Sequence, residues 1–174
     1  LNTRRLIKGY SDTHVRAQSK FDRVLSALPM LKGRPDAADW LRRLRCWLDS
    51  RYAANDKVVV VGDFNVTLDD RDVHDPAWWN GKILCSGPER EAMRNVMAFG
   101  LEDSMRRFVL GGGVYTWWHY RAGAAFVDDG LRIDYVLCSP PAMARCTGVV
   151  VHKELRLQKS PSDHVPVTAT FASD

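Results

Sequence analysis

The sequence predicts an α/β (α+β) fold in which helices cover a mostly antiparallel sheet. Three observations predict it. Four consecutive valines, Val58 to Val61, lead into Gly62-Asp63-Phe64-Asn65 with the apolar continuity of a strand buried on both faces. Two segments, beginning after Asp36 and after Ser86, repeat apolar residues at helical spacing. The second half holds four short strand candidates, 115–120, 131–138, 148–157 and 165–171, without the strict strand–helix alternation of a doubly wound sheet.

Taken in order, residues 4–10 form a weakly patterned strand candidate, 15–28 a helix stopped by Pro29, and 30–35 a loop. Asp36 caps a helix on which Ala37, Trp40, Leu41, Leu44, Trp47 and Leu48 share one face, running to about Tyr52. The turn AAND then delivers the chain into the valine strand. Residues 66–87 are polar, rich in turn formers and too long for a simple connection, which marks a functional loop. Ser86-x-x-Glu89 reads as a capping box with Pro88 in the first turn. Its helix passes through Met93, Val96 and Met97 and stops at Gly100, a suitable C′ residue.

A chain of 174 residues with 45% hydrophobic and 26% charged residues suits one soluble domain, 1–174, with a real core. No apolar run approaches the roughly 20 residues that span a bilayer, so no membrane partner is expected. The cysteines at 46, 85, 138 and 146 form no Cys-x-x-Cys pair. Cys46 and Cys138 lie within apolar patterns and read as buried thiols, for which a reducing cytoplasm is the simplest compartment. The net charge of +4 permits a polyanionic partner without requiring one.

Three polar clusters interrupt apolar strands. In Gly62-Asp63-Phe64-Asn65 an extended chain points Asp63 and Asn65 to one side, so carboxylate and amide can serve one site. The same residue types also make ordinary turns, and the motif alone does not decide between the two. In Leu-Arg-Ile-Asp-Tyr-Val-Leu, residues 131–137, Leu131, Ile133, Tyr135 and Leu137 take one face. Asp134 shares the other with Val136 and Cys138, an unusual company for a solvated carboxylate. In Ser-Pro-Ser-Asp-His, residues 160–164, His164 suits a general acid/base or an electrophilic hydrogen-bond donor. Asp163 reads equally as a cap or as an oxygen ligand for a hard cation such as Mg²⁺. Each cluster alone has a bland structural explanation. Together they place carboxylates, an amide and a histidine at strand ends, which suits metal-assisted attack of water on a phosphodiester.

The motifs GDFN, EREAMRNVMAFGLEDSMRR (89–107), YTWWHYR (115–121), DDGLRIDYVL (128–137) and SPSDHVPV (160–167) resemble, in order, the C-terminal half of the exodeoxyribonuclease III branch of the endonuclease/exonuclease/phosphatase superfamily. That branch includes the apurinic/apyrimidinic endonucleases. The resemblance covers residues 57–171 and implies a four-layer αββα sandwich with two sheets inside. It implies a Mg²⁺-dependent (or Mn²⁺-dependent) nuclease that acts on double-stranded DNA at abasic sites and 3′ ends, as a monomer. The alternatives are a non-catalytic DNA-binding remnant, or a phosphodiesterase or phosphatase of the superfamily with another substrate.

Carried over by motif, Asp63 corresponds to the aspartate that activates or positions water, and Asn65 to the asparagine that orients it. His164 corresponds to the histidine at the scissile phosphate and Asp134 to its paired aspartate. Asp163 corresponds to a carboxylate near the metal, with Asp63 as a second candidate ligand. Trp117 corresponds to the tryptophan packed on the abasic-sugar pocket, with Phe126 as its neighbour. Tyr10, in IKGY, corresponds to the family's active-site tyrosine, although the following SDTH departs from the usual proline-glycine pattern. Two further departures stand out: His119 occupies a position where aspartate is usual, and 30–39 resembles an insertion. The family's early strands, with an asparagine and a glutamine-glutamate pair whose glutamate is the main metal ligand, have no counterpart before Tyr10. The chain is therefore expected to be about the C-terminal two-thirds of a nuclease domain. Alone it is expected to be marginally stable and nearly inactive.

Overall fold

The structure, a computed structural model, describes residues 37–121 and 123–173. Tyr10, the 4–10 strand, the 15–28 helix, the 30–35 loop and the Asp36 cap lie outside the described residues.

The first described helix, α1 (Ala37–Arg51), buries Leu41, Leu44 and Leu48. Cys46 is exposed, against expectation. At 100° per residue, position 46 lies about 160° away from both Leu44 and Leu48 and so faces outward. After the turn at 53–56 comes β1 (Val59–Asp63). Val58, Val60 and Val61 are buried, but Val59 is 37% exposed, so the valine strand is not covered on both faces along its whole length. The reason is position: among the described residues β1 is the outer strand of its three-stranded sheet.

The 66–87 segment is ordered rather than open. It holds a 3₁₀ turn at Asp70–Asp72 and a short helix, α2 (Pro76–Trp79), capped by Asp75. The Thr67 amide donates to the Leu84 carbonyl at 2.8 Å and closes its base. The expected capping box starts α3 (Gly87–Met97): Ser86 Oγ accepts the Glu89 amide and the Glu89 carboxylate accepts the Ser86 amide. α3 ends at Met97 with Ala98 as its C-cap, and Gly100, with a positive φ of 112°, then turns the chain toward β2 (Glu102–Asp103).

Beyond α4 (Ser104–Phe108), the 115–120 strand is realised only as β3 (Trp117–Trp118), paired with β4 (Gly130–Leu131). At Gly130 an added Cβ would lie 2.5 Å from Trp118 Nε1 and 2.7 Å from Tyr115 Cβ, so only glycine lets the strands close over the buried Trp118. The 131–138 strand is broken: β5 (Asp134–Cys138) begins only after Arg132 and Ile133. α5 (Pro140–Met143) leads to β6 (Cys146–Val151), which pairs antiparallel with β7 (Val167–Phe171). The expected strand at 148–157 stops at Val151, and Lys153–Leu157 is a 3₁₀ helix.

The core falls into layers. Tyr135 and Leu137 of β5 meet Val60, Phe64 and the apolar faces of α1 and α3. The alternate residues Val136 and Cys138, with Val61, meet β6 and β7 through Val149, Val151, Val167 and Phe171. Helices, one sheet and a second sheet thus stack in that order, and the alternation read from 134–138 is what separates the two cores.

Candidate active site

The β1–β5 register sets Asp63 directly opposite Asp134. Like charges at opposed positions repel, so other groups must hold this pair. For Asp63 that group is Asn65. Its amide N–H donates to Asp63 Oδ1 and its side-chain Nδ2 to Oδ2, each at 2.9 Å. Asn65 reaches back because it is not extended: its φ of 51° is left-handed, a conformation that asparagine tolerates better than most residues. The turn and the shared site are therefore one arrangement. It is the turn, and not strand alternation, that returns the Asn65 amide to Asp63.

Asp134 is fixed by its backbone and its partner. Thr116 Oγ1 accepts the amides of Ile133 and Asp134, both at 3.1 Å, where β5 starts. The Asp134 Oδ2 lies 3.0 Å from His164 Nδ1. His164 arrives through an antiparallel bridge to Trp117, reinforced by Trp118 N–H donating to Asp163 O and Val165 N–H to Thr116 O. Its other ring nitrogen, Nε2, lies 3.8 Å from Asp63 Oδ2.

The electrostatics follow from this crowding. Burial, then the facing Asp134, pushes the Asp63 carboxyl above the ordinary carboxylate range, although Asn65 and His164 pull it back. The Asp63 side chain keeps 35% exposure, so this burial is that of a cleft wall and not of a core. For His164 burial disfavours the charge, but the Asp134 hydrogen bond and the charges of Asp134, Asp63 and Asp163 outweigh it and raise its pKa. A carboxylate can only accept, so the His164 Nδ1 carries a proton, and the raised pKa favours the form in which Nε2 carries one too.

The structure thus gathers Asp63, Asn65, Asp134 and His164. Asp163 stands beside them: its Oδ2 accepts the Trp117 indole N–H at 3.1 Å. Trp117 packs against Val73, Cys85, Leu131 and Ile133 alongside Trp79 and Leu84, so the 66–87 segment flanks the site. Phe126 is 83% exposed on the turn between β3 and β4, where its ring is available to a ligand.

Sequence reasoning missed two groups. One is Thr116, which fixes the start of β5. The other is a buried ionic cluster: Asp72 accepts from Arg132 Nε at 2.6 Å and from Arg106, and Arg132 pairs with Asp103 at 2.7 Å. Its signal was available, since Arg132 is a charged residue inside an apolar run.

Residues 8–164 match the sequence profile of the Endonuclease/Exonuclease/phosphatase family. The chain belongs to this family. Exodeoxyribonuclease III of Haemophilus influenzae is 29% identical over 135 residues, which is 74% of this chain and 51% of the relative. Among solved structures, an AP endonuclease from Archaeoglobus fulgidus superposes with a TM-score of 0.74 at 31% identity, covering 78% of this chain and 53% of that one. A 3′ phosphatase from Neisseria, bound to a product DNA hairpin, gives 0.68 at 38% identity, covering 78% and 50%. The chain spans about half the length of these relatives.

Endonuclease/exonuclease/phosphatase family members use divalent cations, and the donor set here fits one. Asp63, Asp134 and His164 cluster with atoms within 4.8 Å of one another, and the two carboxylates are the oxygen donors of that group. Asn65 and His164 offset part of the repulsion between the two opposed carboxylates, and a cation would offset more of it. Asp163 is not part of this group, and Asp134, expected only as the histidine's partner, is.

Proposed function

We propose that this chain carries the water-activating and phosphate-binding part of a phosphodiesterase of the exodeoxyribonuclease III type, acting on duplex DNA at abasic sites and 3′ ends with Mg²⁺, or Mn²⁺, as cofactor. One observation carries the reading: the Asp134–His164 pair at 3.0 Å faces an Asn65-held Asp63 across one narrow gap. The DNA hairpin held by the Neisseria relative supports nucleic acid as the substrate class.

The roles follow from the geometry. Asp63, with a raised pKa and partial exposure, accepts a proton from water more readily than an ordinary aspartate. Asn65 fixes which lone pairs of Asp63 remain free for that water. His164, protonated at Nδ1 by its bond to Asp134, offers Nε2–H to a phosphoryl oxygen that gains charge as water attacks. Asp63 and Asp134 would hold the cation, whose contribution is neutralisation of phosphate charge. Trp117, braced by Asp163, forms a rigid apolar wall for the sugar.

The test is cleavage of a duplex carrying one abasic site, with and without Mg²⁺. It uses this chain, the product of the longest reading frame that contains it, and Asp63→Asn in each. Mg²⁺-dependent incision lost in Asp63→Asn supports the reading. Incision unaffected by Asp63→Asn refutes it.

A further inference from the structure

We propose that His119 binds a DNA backbone phosphate next to the scissile one, as a substrate-positioning residue. This rests on the reading of the chain as a DNA phosphodiesterase.

The backbone places His119 on the catalytic face. Trp117 and His164 are bridge partners, and opposed residues of an antiparallel pair share a face. His119 lies two positions beyond Trp117, while the intervening Trp118 points into the core at 0% exposure. Ring contact agrees: His119 meets Trp117 edge-to-face, with centroids 5.9 Å apart and planes at 90°. The indole is itself fixed by Asp163, so His119 stands against a held ring beside the site.

Its chemistry is also set locally. The Arg121 amide donates to His119 Nδ1 at 3.0 Å. That nitrogen must present a lone pair, so the ring's proton sits on Nε2, and the exposed edge of His119 is a hydrogen-bond donor. The location calls for one. A polyanion entering this cleft meets Asp63, Asp134 and Asp163, and a donor just outside that carboxylate group offsets the repulsion for a neighbouring phosphate.

The experiment measures duplex affinity by fluorescence anisotropy, with EDTA present, for the chain and for His119→Ala, His119→Asp and His119→Gln. His119→Asp keeps an acceptor for the Arg121 amide, so it preserves the local turn while removing the donor. The expected result is about five- to tenfold weaker binding for His119→Ala, a larger loss for His119→Asp, and recovery of most affinity in His119→Gln. Replacing one phosphate near the abasic site by an uncharged methylphosphonate should erase the difference between the chain and His119→Ala at that position only. Normal DNA binding by His119→Ala and His119→Asp overturns the proposal and leaves the proposed function standing. No DNA binding by either the chain or the product of the longest reading frame that contains it overturns both.

Discussion

Asp63 faces Asp134 directly across the β1–β5 pair, and His164 lies between their carboxylates, 3.0 Å from one and 3.8 Å from the other. Two acids at opposed strand positions destabilise a sheet unless something compensates. Here the compensation is polar and local: Asn65 donates twice to Asp63, and the His164 ring neighbours both acids. The strand end is less stable than an apolar pair would make it, a pattern common where side chains are kept for function.

Removing the negative charge behind His164 tests this. In Asp134→Asn the amide still fills the space, but the charge that favours the protonated imidazole is gone. On the proposed function, kcat for abasic-site cleavage is expected to fall by about 10²- to 10³-fold with little change in KM, because the lost interaction strengthens as phosphate charge develops. Steady-state kinetics beside a circular-dichroism melt check it. A proportional rise in KM with unchanged kcat would assign Asp134 to ground-state binding instead.

Stability rests elsewhere, on Asp72. Its carboxylate is fully buried and is shared by Arg132, Arg106 and the amides of Leu68 and Asp69. Tyr135, whose ring supports Arg132 at 4.5 Å, also closes on this cluster. Asp72→Asn keeps the shape and leaves Arg132, 1% exposed, without its main counter-charge. A loss of about 3–5 kcal/mol is expected, read as a lower urea midpoint at unchanged slope. A loss below about 1 kcal/mol would mean that Asp103 alone satisfies Arg132.

Much of this was legible in the sequence, for reasons that differ by element. Ser86-x-x-Glu89 predicts its helix start because a capping box is a contact between residues three apart. Val136 and Cys138 alternate with Tyr135 and Leu137 because β5 is covered on both sides. The illegible features are non-local. Pairing partners decide that β6 ends at Val151 and that β5 starts only at Asp134, where Thr116 takes two amides. Asn65 meets Asp63 through a left-handed φ, not through the strand alternation that the sequence pattern suggests. The Asp72–Arg132–Asp103 cluster joins residues far apart in the chain, so only Arg132 within its apolar run announced it.

The cysteines offer a direct check on burial. Cys46 is exposed, whereas Cys85, Cys138 and Cys146 are buried. Burial pushes the Cys85 thiol up and the Cys138 thiol up to about 12, leaving little thiolate under mildly alkaline conditions. Iodoacetamide should therefore label Cys46 alone in the folded chain and all four in urea, as read by peptide mass mapping. Rapid labelling of Cys138 in the folded chain would mean that β5 opens between the two sheets.

The last prediction concerns acid. Asp69 caps the 3₁₀ turn that carries Asp72, accepting the Arg71 amide at 2.9 Å and the Arg71 guanidinium at 2.6 Å. The side-chain bond to Arg71, set against partial burial, holds the Asp69 carboxyl at about 2. A folded-state pKa below the ordinary 3.8 means that the ionised form favours the folded chain. That contribution is present above about pH 4 and is lost as pH falls through about 2, below which folded and unfolded chains are both protonated. The pair is 42–49% exposed, so solvent screens it and its worth is that of a surface cap, about 0.5–1 kcal/mol. Asp69→Asn should thus lower stability by that amount at neutral pH, and the gap should close as pH approaches about 2. Raised salt should narrow it at neutral pH, because only the ionic part is screened. Urea midpoints for both chains across the acid range measure the gap directly. A difference that persists unchanged near pH 2 would show that Asp69 acts through its shape in the turn and not through its charge.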